Sequence, residues 1–283
     1  MKNPIFWTLS LLCCAFVFHA QQSLPARPAT PVSVPQAVPI CGGLAATGNV
    51  LANSSSPAPS SSPSPVAGDS GVIRGKVVYE GGEVRKLLNV IKDERTCGAD
   101  DLVDESLLAD ANGGIKWAVV SISSEIKGGK SLDELPGDRV LDQSTCVYRP
   151  HVLLAGVNQE ITINNMDHTL HNVRTASLMN SVVNKVQIYM PNMPHPSDKT
   201  TFKEPEVVNV LCDVHGWMKA YVHVVEHPYY AVTAADGSFE IGGVPPGKYT
   251  LHVWQEKLGE QDQQVEVTAG QAAEINFSYK TLK

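Results

Sequence analysis

The fold is decided by the stretch Val207-Val208-Asn209-Val210-Leu211-Cys212-Asp213-Val214-His215-Gly216-Trp217-Met218-Lys219-Ala220-Tyr221-Val222-His223-Val224-Val225. Residues 207–211 and 220–225 are short, mostly apolar runs rich in Val, which are typical of β-strands. Between them lie a thiol, an imidazole and a thioether, at Cys212, His215 and Met218. We therefore expect two strands joined by a tight loop that presents three metal-binding side chains.

Similar short runs recur on both sides of this stretch, and Gly, Pro, Asn and Asp separate them. On the N-terminal side they lie at 72–79, 117–122, 152–154, 160–164 and 185–190. On the C-terminal side they lie at 230–233, 238–241, 249–254, 264–267 and 273–279. The pattern predicts an all-β protein, with one β-sandwich or barrel over residues 71–226 and a small β-sandwich module over 227–283. It leaves open whether 72–79 pairs with the second part.

The first 70 residues are of a different kind. Residues 1–20 have the basic start, the apolar run and the small residue that define a secretory signal peptide. We therefore expect export to the periplasm, the cell surface or the medium, with an uncleaved anchor as the alternative and no membrane span after the signal. Residues 21–70 are rich in Pro, Ser and Ala, a composition that predicts a disordered linker.

The charge distribution excludes one class of partner. The formal net charge is −7, and no basic run or stripe is present in the sequence. We therefore expect no nucleic-acid binding, since that function needs clustered Lys and Arg. A mild acidic excess favours a basic docking partner.

The cysteines of an exported chain are expected to pair. Two of the six lie in the signal peptide, and Cys212 belongs to the candidate metal loop. Cys97 and Cys146 are then the natural disulfide pair, which would stabilise the fold by about 4 kcal/mol on the chain-entropy estimate. The alternative is that they bind metal together with His151, and Cys41 has no obvious partner.

The metal that best suits the candidate loop is copper. Cu(I) prefers soft sulfur and Cu(II) prefers imidazole, so a Cys, two His and a weakly bound Met serve both oxidation states. The loop after 160–164 holds two candidates for the second imidazole, His168 and His171. Zinc fits less well, because a thioether is a poor zinc ligand. A binuclear copper centre would need a second cysteine close to Cys212, and we expect none there.

Two segments resemble the cupredoxins, particularly plastocyanin and amicyanin. The first runs from Asn165 to His171-Asn172-Val173, and the second is the short Cys-x-x-His-x-x-Met loop at 212–218. The resemblance implies a cupredoxin-like Greek-key β-sandwich with one mononuclear blue (type 1) copper ion. His171, Cys212 and His215 would be the equatorial ligands and Met218 the axial ligand.

The same resemblance implies roles for neighbouring residues. Asn172 would tie the two ligand loops together. Leu170 departs from the proline of plastocyanin, and His168 is an additional histidine, which makes His168 a candidate extra ligand. We also expect Trp217 to pack over the site and exclude water.

The C-terminal part resembles a second family. The pieces Asp-Gly-Ser-Phe at 236–239 and Val-Pro-Pro-Gly-Lys-Tyr-Thr-Leu at 244–251 are similar to the carboxypeptidase regulatory-like module, a transthyretin-type β-sandwich. The order of the two parts is that of a group of exported bacterial proteins, in which a plastocyanin-like domain precedes this module.

These features predict an electron-transfer protein rather than an enzyme, because no catalytic base or nucleophile accompanies the metal loop. The electron would pass through an edge of His215 near the surface, to an exported redox protein such as a c-type cytochrome or a dehydrogenase. One alternative is copper sequestration or delivery, using His168 or the loop at 190–195, which otherwise is a loop with apolar anchors. The other is an envelope interaction module with a secondary copper site.

Overall fold

The computed structural model of the chain describes residues 69–98 and 101–280. The expected signal peptide, Cys41 and all but the last two residues of the expected linker lie outside them. Among the described residues, no helix has both the length and the apolar character needed to cross a membrane.

The described residues fold almost entirely into strands, which confirms the all-β prediction. Between residues 69 and 280 the described part contains nineteen β-strands, one α-helix and one 3-10 helix. The strands are β1 (Gly71–Tyr79), β2 (Leu108–Ala109), β3 (Ile115–Lys116), β4 (Val119–Ile122), β5 (Val140–Ser144), β6 (Val147–Arg149), β7 (Val152–Gly156), β8 (Glu160–Asn165), β9 (His171–Ala176), β10 (Asn184–Gln187), β11 (Ser197–Thr201), β12 (Glu206–Leu211), β13 (Lys219–Val225), β14 (Tyr230–Val232), β15 (Ser238–Val244), β16 (Gly247–Gln255), β17 (Gly259–Val267), β18 (Ala272–Glu274) and β19 (Phe277–Tyr279). The helices are α1 (Glu94–Cys97) and the 3-10 turn Leu132–Glu134.

Strands β5 to β13 form what we call the central sandwich. One sheet has the strand order β10-β9-β12-β13-β7, and the other has the order β11-β8-β5-β6. Neighbouring strands are antiparallel except for the pairs β13–β7 and β5–β8. Strand β12 shows how the sequence sets this packing, because Val208 and Val210 are buried in the core while Val207 lies on the exposed face.

Strands β1, β4 and β14 to β19 form the C-terminal sandwich. One sheet has the order β14-β4-β16-β17, and in the other β1 pairs with β15, β18 and β19. The two sheets bury a common core that includes Ile73, Val120, Leu251 and Phe277. The division of the chain at 226/227 therefore does not follow the sheets, because β1 and β4 belong to the C-terminal sandwich.

The break between β18 and β19 lies beside Gly75 of β1. At this point β1 approaches so closely that a Cβ atom on Gly75 would lie 1.7 Å from the carbonyl oxygen of Ile275. Only glycine fits there, and the single strand expected over 273–279 is divided in two.

A small apolar cluster joins the two sandwiches. It contains Val152, Leu154 and Val225 from the central sandwich and Val119 from the C-terminal sandwich. Val225 is the last residue of β13, the strand that follows the candidate metal loop. The contact therefore fixes the far end of the strand that carries this loop.

Candidate metal centre

The candidate ligands lie at the ends of neighbouring strands. His171 is the first residue of β9, and Cys212 follows the last residue of β12, which pairs with β9. A turn then returns the chain to β13, with the amide of Met218 donating to the carbonyl of His215 at 2.9 Å. The antiparallel pairing of β9 and β12 therefore brings the upstream histidine to the Cys-x-x-His-x-x-Met loop.

Three ligand atoms meet in the interior. His171 Nδ1 lies 2.9 Å from His215 Nδ1, and Cys212 Sγ lies 3.9 Å from the same atom. All three atoms lie within 4.8 Å of one another, so a single metal ion could contact all of them. Both imidazole rings are 0% exposed. Met218 is buried in the same core cluster as Cys212.

A carboxylate holds the outer nitrogen of each imidazole. His171 Nε2 lies 2.8 Å from Asp167 Oδ2, and His215 Nε2 lies 2.8 Å from Asp93 Oδ2. Each Nε2 therefore carries a proton that it donates to a carboxylate, and each Nδ1 is turned toward the shared centre. Metal-binding histidines in proteins are commonly fixed in this way by a carboxylate on the far nitrogen.

The electrostatics favour a thiolate at the centre. Burial alone would raise the pKa of Cys212, but its contacts with the His171 and His215 rings, together with the backbone amides of Asn172 and His215, lower that pKa to about 5. Burial lowers the pKa of His171, but the hydrogen bond to Asp167 and the nearby Cys212 outweigh burial and raise it. The thiolate is the form of cysteine that binds metal.

The donor set fits copper. The Nδ1 lone pairs of His171 and His215 face each other at 2.9 Å, so either a proton or a metal cation is needed between them. A cation placed there would also neutralise the thiolate of Cys212. Two imidazoles, one thiolate and a buried thioether are the ligands that a copper ion of both oxidation states prefers.

Hydrogen bonds tie the two ligand segments together. The Asn172 side chain accepts from the amide of Asp213 at 2.6 Å and donates to the Asp213 carboxylate at 2.9 Å. The Tyr148 hydroxyl lies 3.0 Å from both the Asn172 and the Leu211 carbonyls. Side chains from β6, from β9 and from the loop after β12 therefore hold β9 and β12 in register.

The expectation that an edge of His215 lies near the surface is wrong. Residues 92–98, which we call the covering segment, lie over this ring. In it, Asp93 binds His215 Nε2, and Lys92 Nζ donates to the Val214 carbonyl at 3.3 Å. Asp93 itself has left-handed backbone angles, with φ of 52° and ψ of 38°. This conformation is uncommon for a non-glycine residue.

A disulfide anchors the covering segment beside the centre. It joins Cys97 at the end of α1 to Cys146, and both sulfurs lie within 4.8 Å of a ring nitrogen of His215. Both sulfurs are used in the disulfide, so among the described residues Cys212 is the one free thiol that can bind metal. Trp217 closes the same side: its Nε1 donates to the Cys146 carbonyl at 2.9 Å, and its ring lies 5.1 Å from that of His215.

His168 lies apart from the other candidates. Its ring is exposed and stacks on Tyr189, with centroids 4.3 Å apart. It does not belong to the group of His171, Cys212 and His215 whose atoms lie within 4.8 Å of one another.

The two carboxylates, Asp167 and Asp93, are not predicted from the sequence. Asp167 is nevertheless recognisable from its position in the sequence. It stands four residues before His171, and its carboxylate reaches the ring of that histidine. Asp93 is not recognisable in this way, since 122 residues separate it from His215 and the two segments meet only in the folded chain.

Comparisons with known proteins match one family model and several solved structures. Residues 218–280 match the carboxypeptidase regulatory-like domain family. The match begins at Met218 and so includes β13, which pairs within the central sandwich. Among curated protein sequences, no relative of this chain is found.

Solved structures with similarity to this chain include three copper-protein examples. A novel purple cupredoxin from Nitrosopumilus maritimus is 20% identical, covers 31% of this chain and 100% of its own, and has a TM-score of 0.26. A mutant of amicyanin with Cu(I) is 19% identical, covers 38% of this chain and 98% of its own, and has a TM-score of 0.27. A Cu-containing nitrite reductase from Thermus scotoductus SA-01 is 15% identical, covers 38% of this chain and 25% of its own, and has a TM-score of 0.25.

Proposed function

We propose that this chain is an exported protein with one type 1 copper ion, and that it passes single electrons to and from a redox partner. The observation that carries the proposal is the meeting of His171 Nδ1, Cys212 Sγ and His215 Nδ1 within 4.8 Å in a buried site. Bound copper would supply a one-electron couple between Cu(II) and Cu(I). The disulfide supports export, because such bonds persist in oxidising compartments.

The residues of the chain would keep the ligands in place during electron transfer. Asp167 and Asp93 fix the orientation of both rings, and burial of the rings keeps water away from the site. Ligands that do not rearrange serve both oxidation states equally well. Together these contacts favour a fixed site that changes charge without changing shape.

We propose an electron carrier rather than an enzyme, because buried ligands offer no access to a substrate. The partner would be an exported redox protein, such as a c-type cytochrome or a dehydrogenase. Since the ring of His215 is covered, the electron would cross the residues over it, of which Asp93 is exposed and Trp217 is half-buried.

The test is the visible absorption and electron paramagnetic resonance spectrum of the full chain loaded with Cu(II). We expect an intense blue band from thiolate-to-copper charge transfer with narrow copper hyperfine splitting, and we expect Cys212→Ser to abolish both. His168→Ala is the matched control, since this exposed ring lies apart from the ligand group. A pale spectrum unchanged by Cys212→Ser would show that the thiol is not a ligand and would overturn the proposal.

A further inference from the structure

A methionine-rich loop lies at the same end of the central sandwich as the buried centre. Strand β10 pairs with β9 so that Gln187 stands opposite His171. The chain then continues as Tyr189-Met190-Pro191-Asn192-Met193-Pro194-His195 before β11 begins. This loop therefore leaves the sheet beside the first candidate ligand.

The two thioethers of the loop face solvent. Met190 is 55% exposed and Met193 is 61% exposed, so neither anchors the loop in the core. The amide of Met193 donates to the carbonyl of Met190 at 3.1 Å, with Asn192 in a left-handed conformation, φ 66°. A turn of this kind brings its first and fourth residues close together. The loop thus presents two thioethers from a single turn.

An imidazole beside this turn has the arrangement of a metal ligand. His195 Nδ1 lies 2.8 Å from the carbonyl oxygen of Asn165, so Nδ1 carries the proton and Nε2 keeps its lone pair. Donation of the other ring nitrogen to a backbone carbonyl is how proteins commonly orient histidine ligands. Asn165 is itself buried, and its side chain donates to the carbonyls of Thr169 and Gln187.

We propose that Met190, Met193 and His195 form a surface site for Cu(I). All three donors are uncharged, and the two soft thioethers select Cu(I) over harder divalent ions. The site shares no residue with the buried centre and goes beyond electron transfer, because it would let the chain take up copper from its surroundings. Its existence does not depend on whether the buried centre carries a blue copper ion.

The experiment is an anaerobic titration of the full chain with Cu(I) in competition with a coloured Cu(I) chelator. The background is Cys212→Ser, which removes the thiolate of the buried centre. In this background we expect the double variant Met190→Leu/Met193→Leu to bind Cu(I) on the order of tenfold more weakly, or more weakly still, because leucine keeps the volume but removes the sulfur. Met179→Leu is the matched control, since Met179 is also exposed but lies beyond the far end of β9.

A second measurement locates the ion. With Ag(I) as a redox-inert substitute for Cu(I), we expect the methyl NMR signals of Met190 and Met193 to shift and that of Met179 to stay in place. Equal Cu(I) affinity in the double variant and its parent would overturn the proposal, and so would an unshifted pair of signals. Neither outcome bears on the blue spectrum, which tests the buried centre separately.

Discussion

At the scale of single residues, the centre is two histidines turned inward by two carboxylates. Asp167 comes from the same loop as His171, whereas Asp93 reaches His215 from a distant segment. The rings are therefore oriented before any ion binds. Preorganised ligands bind more tightly, because the cost of ordering them is met during folding.

The thiol of Cys212 gives the first prediction at this scale. Its ordinary pKa is 9.0, and its contacts lower the pKa to about 5 in the folded chain. Between these values the unfolded chain binds more protons, so this group contributes stability that is full above pH 9 and is lost as the pH falls through 5. We expect the metal-free protein to show thiolate absorption in the ultraviolet with a titration midpoint near pH 5.

The control for this titration is Cys212→Ser, which should show no transition in that range. A midpoint near the ordinary value of 9.0 would mean that the contacts from His171 and His215 are absent in solution.

At the scale of elements, the covering segment is the feature that sets the access to the centre. Residues 92–98 contain the short helix α1, whose last residue, Cys97, forms the disulfide with Cys146. A helix of this length has little stability of its own, so the disulfide and the contact of Asp93 with His215 hold it. The carboxylate of Asp93, which lies outside the β-strands, thereby contacts a ligand of the candidate metal centre.

The variant Asp93→Asn tests the covering segment while keeping its shape. The carboxylate beside His215 stabilises the more positive Cu(II) state, so its removal should raise the reduction potential of the copper-loaded chain. We expect a rise of about 60 mV, which corresponds to a tenfold change for a one-electron couple. A potentiometric titration measures it.

Glu94→Gln is the matched control, because it removes an exposed carboxylate one residue away. A potential equally unchanged in both variants would show that Asp93 does not act on the centre.

The local pattern of apolar and turn residues was sufficient to predict the strands on either side of the ligand loop. The apolar runs before Cys212 and after Met218 correspond to β12 and β13, and turn residues mark β14 to β17. Strand β11 was missed because Ser197–Thr201 is polar and lies at a sheet edge, where side chains need not be apolar. The burial of His215 was missed because it depends on a segment far away in the sequence.

At the scale of the whole molecule, one buried carboxylate links the two sandwiches. Glu256 follows β16, its side chain is 3% exposed, and one oxygen lies 2.6 Å from His151 Nε2. The other oxygen accepts from Tyr221 at 2.7 Å and from Lys219, the residue after Met218. The C-terminal sandwich therefore contacts the strand that carries the metal loop.

We expect Glu256→Ala to lower the free energy of unfolding by about 3 kcal/mol. The substitution leaves the charge of Lys219 and the polar groups of His151 and Tyr221 without their partner, and broken buried ion pairs typically cost this much. Urea unfolding monitored by tryptophan fluorescence is the measurement. Glu266→Ala, which removes an exposed carboxylate paired with Lys248 at 3.8 Å, should change the unfolding free energy by less than about 0.5 kcal/mol. An equal effect of the two substitutions would refute the linking role of Glu256.

The pairing of β1 with the last strands has a consequence for the order of folding. Val77 stands opposite Phe277 and Tyr79 opposite Tyr279, so the two ends of the described chain meet in one ladder. A ribosome makes β1 long before its partners, and closing so long a loop is slow. Incomplete chains would display one bare edge of β1, which is a template for aggregation. The pairing of β18 and β19 with β1 therefore covers an edge that would otherwise stay open to other chains.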